Sequence, residues 1–151
     1  MGNANYVWAP SQTETGYYYA FNKLYDGSTG DPCSKLNTAY YGTSWRTPTK
    51  NELEKLARCT DKVYNGGMWF MNKSLGLFLK AGGMRQESGA GTGGAGYTDH
   101  GCYVTSTLGS SGSNCYVMEF TTTTVVVSNT GAWWSLLTNG YFVRCVKGTK
   151  Q

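Results

Sequence analysis

Thr49-Lys50-Asn51-Glu52-Leu53-Glu54-Lys55-Leu56-Ala57 carries the clearest local instruction in the chain. Thr49 and Glu52 form a capping box. The hydroxyl of one and the carboxylate of the other satisfy main-chain N–H groups that the first helical turn leaves unpaired, worth about 1 kcal/mol at the cap. Leu53, Leu56 and Ala57 then fall at i, i+3 and i+4, which gives the helix a single apolar stripe. Upstream, Asp31-Pro32 predicts an earlier and shorter helix, with Asp as the cap and Pro at the first helical position. Before it, Tyr17-Tyr18-Tyr19-Ala20-Phe21 is aromatic and β-prone and reads as a strand.

Downstream, Gly66-Gly67 breaks the chain, Met68-Trp69-Phe70-Met71 reads as a buried strand or core turn, and 75–79 is a further short apolar stretch. Trp45 and Trp69, next to helix and strand signals, are assigned to the core. Residues 81–101 are glycine-rich and aperiodic, as in a long loop tied to a scaffold. Four short β-like runs come next, at 103–107, 116–120, 123–127 and 141–146, separated by Gly, Ser and Asn. In the second run Glu119 lies between Met118 and Phe120, so its side of the pleat is expected to meet water or a ligand. An early strand, two helices, a long loop and a terminal antiparallel set make an α+β class with helices segregated from a small sheet. No solenoid repeat and no linker divides the chain, and 151 residues suffice for one domain with its own core.

Charge is distributed unevenly. Residues 86–143 contain three acids, Glu87, Asp99 and Glu119, and no Lys or Arg, for a net −3. The remainder holds thirteen bases against six acids, or +7. The acidic segment is otherwise Gly, Ser, Thr, Asn and aromatics, including Tyr97, Tyr103, Tyr116, Trp133 and Trp134. That is the chemistry of binding loops, where rigid aromatics give contact area and small polar residues give adaptable hydrogen bonds. It offers few titratable groups for catalysis. The basic residues form no run or helix face, so a nucleic-acid partner is not expected. No apolar run is long enough to span a bilayer, and the N-terminus has no apolar leader behind a basic start. Cys33, Cys59, Cys102, Cys115 and Cys145 lack C-x-x-C spacing. They fit either a disulfide framework with one thiol left over or a fully reduced chain.

Four pieces in order resemble a known family. They are Asp31-Pro32-Cys33, Trp45-Arg46-Thr47-Pro48-Thr49-Lys50-Asn51-Glu52, Ala81-Gly82-Gly83-Met84-Arg85 and Gly140-Tyr141-Phe142-Val143-Arg144-Cys145-Val146. Together they are similar to bacterial C-type-lectin-fold domains of the paralogous surface type found in Bacteroidetes and Fibrobacter. The resemblance implies a C-type-lectin-like domain of two helices, a small twisted antiparallel sheet and long loops, with its chain ends meeting in one sheet. It also implies a Cys33–Cys145 bridge. The same fold underlies variable receptor-binding proteins diversified by phage and bacterial retroelements, which vary exposed positions late in the chain. Residues 97–139 match that layout. Calcium-dependent sugar binders of this fold use Glu-Pro-Asn or Gln-Pro-Asp followed by Trp-Asn-Asp, all absent here. Calcium also needs six to eight oxygens, and residues 97–141 offer only Asp99 and Glu119, so neither metal nor cofactor is expected.

The expected function is recognition of a protein or glycan receptor on a cell surface, by a bacterial surface or pilus adhesin or by a receptor-binding protein on a phage particle. The ligand-binding candidates are Tyr103, Tyr116, Trp133 and Trp134 as aromatic anchors, with Asp99, His100, Glu119, Leu137 and Asn139 around them. The rivals are an oxidase related to formylglycine-generating enzymes, acting through Cys102 or Cys115, and a structural subunit of a surface assembly. Cys102 and Cys115 bracket a hairpin and are read either as a bridge or as free thiols, and Cys59 as an idle buried thiol. Gly89-Ala90-Gly91-Thr92-Gly93-Gly94 matches G-x-G-x-x-G but lacks the strand and helix that a nucleotide site needs, so it reads as loop.

Overall fold

The computed structural model of the chain describes residues 7–8, 19–20, 31–37, 42–72, 75–84, 99–110, 112, 114–129 and 137–149. Helix α1 (Lys50–Ala57) starts at the capping box. Thr49 Oγ1 accepts from Glu52 N at 3.4 Å, and Glu52 Oε2 accepts from Thr49 N at 2.8 Å. Leu53 and Leu56 are buried. At the other end Lys62 Nζ donates to the carbonyls of Ala57 and Cys59 at 3.0 and 2.7 Å, where a cation complements the helix dipole.

The expectation of a two-helix α+β domain is overturned. Among the described residues α1 is the only α-helix, and the protein is mostly β. Asp31 does cap the next segment upstream, accepting from Cys33 N at 2.9 Å, but the capped segment is a five-residue 3-10 helix, Pro32–Leu36. The reason is tethering. The Asp31 carboxylate also takes Thr47 N and Thr47 Oγ1 at 2.8 Å each, Cys33 is bonded to Cys145, and Asn37 Oδ1 accepts from Trp45 N at 2.9 Å. A segment fixed at both ends over so few residues takes the tighter helix.

The strands are β1 (Val7–Trp8), β2 (Tyr19–Ala20), β3 (Trp45–Arg46), β4 (Lys62–Tyr64), β5 (Gly67–Asn72), β6 (Leu75–Lys80), β7 (Gly101–Leu108), β8 (Cys115–Phe120), β9 (Val125–Ser128), β10 (Gly140–Tyr141) and β11 (Val146–Lys147). They form antiparallel sheets β4-β5-β6, β7-β8-β9, β1-β11-β3 and β2-β10. The 141–146 run is not one strand. Between β10 and β11, Phe142 leaves its own line to bridge β7 in parallel, with Val104 N donating to Phe142 O and Phe142 N to Cys102 O, both at 3.0 Å.

Sheet β7-β8-β9 is central because both of its faces are covered. Cys102, Val104, Cys115 and Val117 point into one core with Cys33, Trp45, Met84, Tyr141, Val143 and Cys145. Tyr103, Met118 and Phe120 point into a second core with Leu53, Leu56, Met68, Phe70, Leu77 and Leu79. The face bearing Glu119 is therefore mostly interior, contrary to the expectation of an open pleat. Gly101 is required at the head of β7, since a Cβ there would lie 2.2 Å from the Phe120 ring that folds over it.

Two links tie the chain's ends to this frame. The Cys33–Cys145 disulfide closes a separation of 112 positions, which limits the unfolded chain by about 4–5 kcal/mol on loop-closure grounds. Arg46 grips the Glu52 carboxylate with two N–H groups at 2.7 and 2.6 Å and reaches the carbonyls of Gly148 and Thr149 at 2.6 Å each. The four short motifs thus converge, and Cys33, Trp45, Met84, Tyr141 and Cys145 share one core. Among the described residues no helix is long and apolar enough to cross a membrane.

Candidate functional site

Glu119, near the end of β8, is one of only three acids in a segment without Lys or Arg. Its cross-strand neighbours are Cys102 on β7 and Val126 on β9, so all three share one side of the central sheet. Cys102 is fully buried and Val126 is 50% exposed. Glu119 therefore stands where the core stops and the surface begins. Burial pushes its carboxyl above the ordinary value, and the nearby His100 pulls it partly back. Among the described residues no Lys or Arg forms a salt bridge with it.

His100 is held in place by its main chain. Its carbonyl accepts from Gly82 N and Gly83 N at 2.7 and 2.8 Å, which fixes the entry into β7. Gly83 has φ +63°, a conformation that favours glycine. The His100 ring meets Asp99 Oδ1 through Nδ1 at 2.8 Å, with side chains 23% and 48% exposed respectively. Beyond β8 the chain turns through Thr121. Thr121 Oγ1 accepts from Thr123 N and Thr124 N at 3.2 and 3.1 Å, and Thr121 N donates to Thr124 O at 2.9 Å. This hydroxyl-closed turn leaves 122–124 exposed beside β9. Sequence periodicity is silent on these threonines; a Thr at the first turn position is the signal that was there to read.

The expected site residues divide. Asp99, His100 and Glu119 come together at this edge, with Val126, which sequence reasoning missed, as their apolar neighbour. Tyr103 does not join them. It is wholly buried, its hydroxyl donates to Lys80 O at 3.0 Å, and its ring lies 5.5 Å from that of Phe142 and 6.2 Å from that of Phe120. It is a core strut, because the second core covers its face of the sheet. Asn139 is likewise buried, with Nδ2 3.7 Å from Met84 Sδ. Leu137 packs against the first core. Tyr116 is half-buried on the opposite side from Glu119, and Lys50 Nζ sits 4.5 Å above its ring. Trp133 and Trp134 lie outside the described residues, as do Tyr97 and the 89–94 glycine stretch.

The thiols are inert by position. Neither Cys102 nor Cys115 is in a disulfide, so the bridge between them is not formed, and both are fully buried. Burial raises both thiols, Cys115 to about 12, and Glu119 raises Cys102 further. A thiolate nucleophile is therefore not available at either. Among the described residues no group of three or more His, Cys, Asp or Glu is arranged to hold a metal ion. Comparison with protein-family models, with curated proteins and with solved structures finds no match to this chain.

Proposed function

We propose that this chain is a calcium-independent ligand-binding domain that recognises a protein or glycan on a cell surface, carried on a bacterial surface or a phage particle. Its contact surface is the end of the central sheet where Asp99, His100, Glu119 and Val126 meet the threonine turn. The observation that carries this reading is Glu119, a partly buried carboxylate where the core meets the surface, with His100 nearby and no Lys or Arg in a salt bridge with it among the described residues. Such a group costs stability, and that cost is explained if a ligand completes its environment. The exposed Val126 beside it supplies the apolar contact that small recognition sites combine with a few polar groups.

The uneven charge of the chain and the order of its four short motifs support the same reading, including diversification by a retroelement. In that case a near-copy of the gene's 3′ end should lie close by. Mismatches at template adenines should cluster in the codons for residues 97–139, falling on surface positions such as Val126 and sparing buried ones such as Tyr103 and Asn139. The buried thiols argue against an oxidase acting through Cys102 or Cys115.

The direct experiment presents the purified chain to arrays of intact bacterial cells and of purified glycans. Binding should persist in excess chelator and disappear in Val126→Glu, a variant whose change lies at an exposed position. Binding that needs calcium, or that survives Val126→Glu undiminished, would overturn the reading.

A further inference from the structure

A second surface has no part in that site. Sheet β4-β5-β6 buries Met68, Phe70, Leu77 and Leu79 in the second core, so the alternate residues face outward. Across that outer face the register aligns Val63, Trp69 and Phe78 in one row. Val63 is 59% and Trp69 37% exposed, which corrects the assignment of Trp69 to the core. The Trp69 and Phe78 rings lie 4.7 Å apart, centroid to centroid, at 40°. Gly67 sets the shape of the row. A Cβ at that position would come within 2.6 Å of Phe78 Cε2 and Cζ, so its absence lets the ring settle onto the strand. The result is a low aromatic slab on the outer side of the sheet.

The slab has a charge at each end. Lys80, exposed, pairs in register with Gly67 and shares the pleat side of Phe78. Asn65, also exposed, lies at that same end. Asp61, exposed, precedes β4 at the opposite end. A protein interface needs about 800 Å² per partner, and among the described side chains of this face the three partly covered apolar ones, none offering more than ~150–250 Å² even in full, fall short of it. They match the footprint of one or two sugar rings, whose axial C–H groups stack on aromatic faces.

We infer that the Val63–Trp69–Phe78 slab is a binding site for an acidic glycan, one pyranose ring stacking on Trp69 and Phe78 while its carboxylate pairs with Lys80. Asn65 stands at the same end for a ring hydroxyl, and Asp61 repels a reversed orientation. The slab lies across the second core from Glu119, so this site and the sheet-end surface stand or fall separately.

The test titrates the full chain with tetrasaccharides of galacturonate, glucuronate and mannuronate, with a sialylated tetrasaccharide, and with neutral galactotetraose, reading tryptophan fluorescence and ligand saturation transfer. At least one acidic oligosaccharide should bind more tightly than the neutral one. Trp69→Ala should abolish the response. Lys80→Ala should weaken the acidic ligand about threefold or more while leaving the neutral one unchanged. Absence of binding across the acidic set would overturn the inference. So would binding that ignores both substitutions, or a concentration-dependent dimer or vesicle attachment that is lost in Trp69→Ala with no glycan response.

Discussion

Arg46 and Glu52 are joined by two parallel N–H···O bonds of 2.7 and 2.6 Å, with side chains 11% and 0% exposed. Glu52 is also the reciprocal half of the α1 capping box, and Arg46 also holds the carbonyls of Gly148 and Thr149. One pair thus fastens the start of the helix to the end of the chain. Removing one partner of a buried, bidentate pair leaves the other charge stranded, and Arg46→Ala should cost about 3 kcal/mol. Arg46→Lys should recover only part of it, because an ammonium cannot reproduce the planar fork. Urea unfolding of the two variants checks both statements.

The same pair sets an acid limit. Burial alone would raise the Glu52 carboxyl, but the hydrogen bonds from Arg46 and Thr49, together with the Arg46 charge, bring it below its ordinary 4.5. A carboxyl lowered on folding stabilises the protein above the unfolded-state value, and the contribution is lost as pH falls through the folded one. The stability difference between wild type and Glu52→Gln should therefore be large at pH 7 and shrink steadily below pH 4.5. A difference that stays constant on acidification well below that value would count against the assignment.

Gly101 tests the packing of the central sheet. Gly101→Ala places a methyl group 2.2 Å from the Phe120 ring, next to β-sheet neighbours that cannot yield freely. Overpacking of this kind costs about 1–3 kcal/mol. Thermal unfolding should show the loss, and Phe120→Leu in the same background should restore part of it.

The two central thiols should resist modification. With Cys102 and Cys115 fully buried and raised by desolvation, native protein at about pH 8, near the ordinary thiol value, should leave both unlabelled by iodoacetamide. Denatured protein should label both. Mass mapping of the labelled peptides reads the result. Labelling of either in the native state would restore a reactive-cysteine reading.

What the sequence disclosed depended on whether the signal was local. The α1 capping box fixes a helix start within four residues and needs no distant partner. The runs at 103–107 and 116–120 fall within β7 and β8, and the 123–127 run reaches β9 only from Val125, its first two threonines lying in the turn. Asp31-Pro32 looks like a helix start in isolation, and only the long-range ties of Asp31 to Thr47 and of Cys33 to Cys145 shorten it. Tyr103 reads as an exposed anchor until both faces of the sheet are known to be covered. Trp69 fails in the opposite direction. Its neighbours Met68 and Phe70 are buried, and strand alternation then places the tryptophan outside. At the candidate site, Asp99, His100 and Glu119 are legible as scarce ionisable side chains in a segment without Lys or Arg. Val126 is not, because its exposure depends on where the core ends.

Glu119 provides the sharpest test of a recognition surface at the end of the central sheet. Its carboxyl is raised by burial, so the folded state favours the protonated form. Stability is fullest below the ordinary carboxylate value and is lost as pH rises through the folded one. Glu119→Gln should therefore raise the unfolding midpoint at neutral pH while weakening attachment to the cell or glycan found in the array experiment by about tenfold, the loss of one charge-assisted contact. A midpoint that falls would show that Glu119 serves the fold, and attachment that is unchanged would contradict its place in a recognition surface.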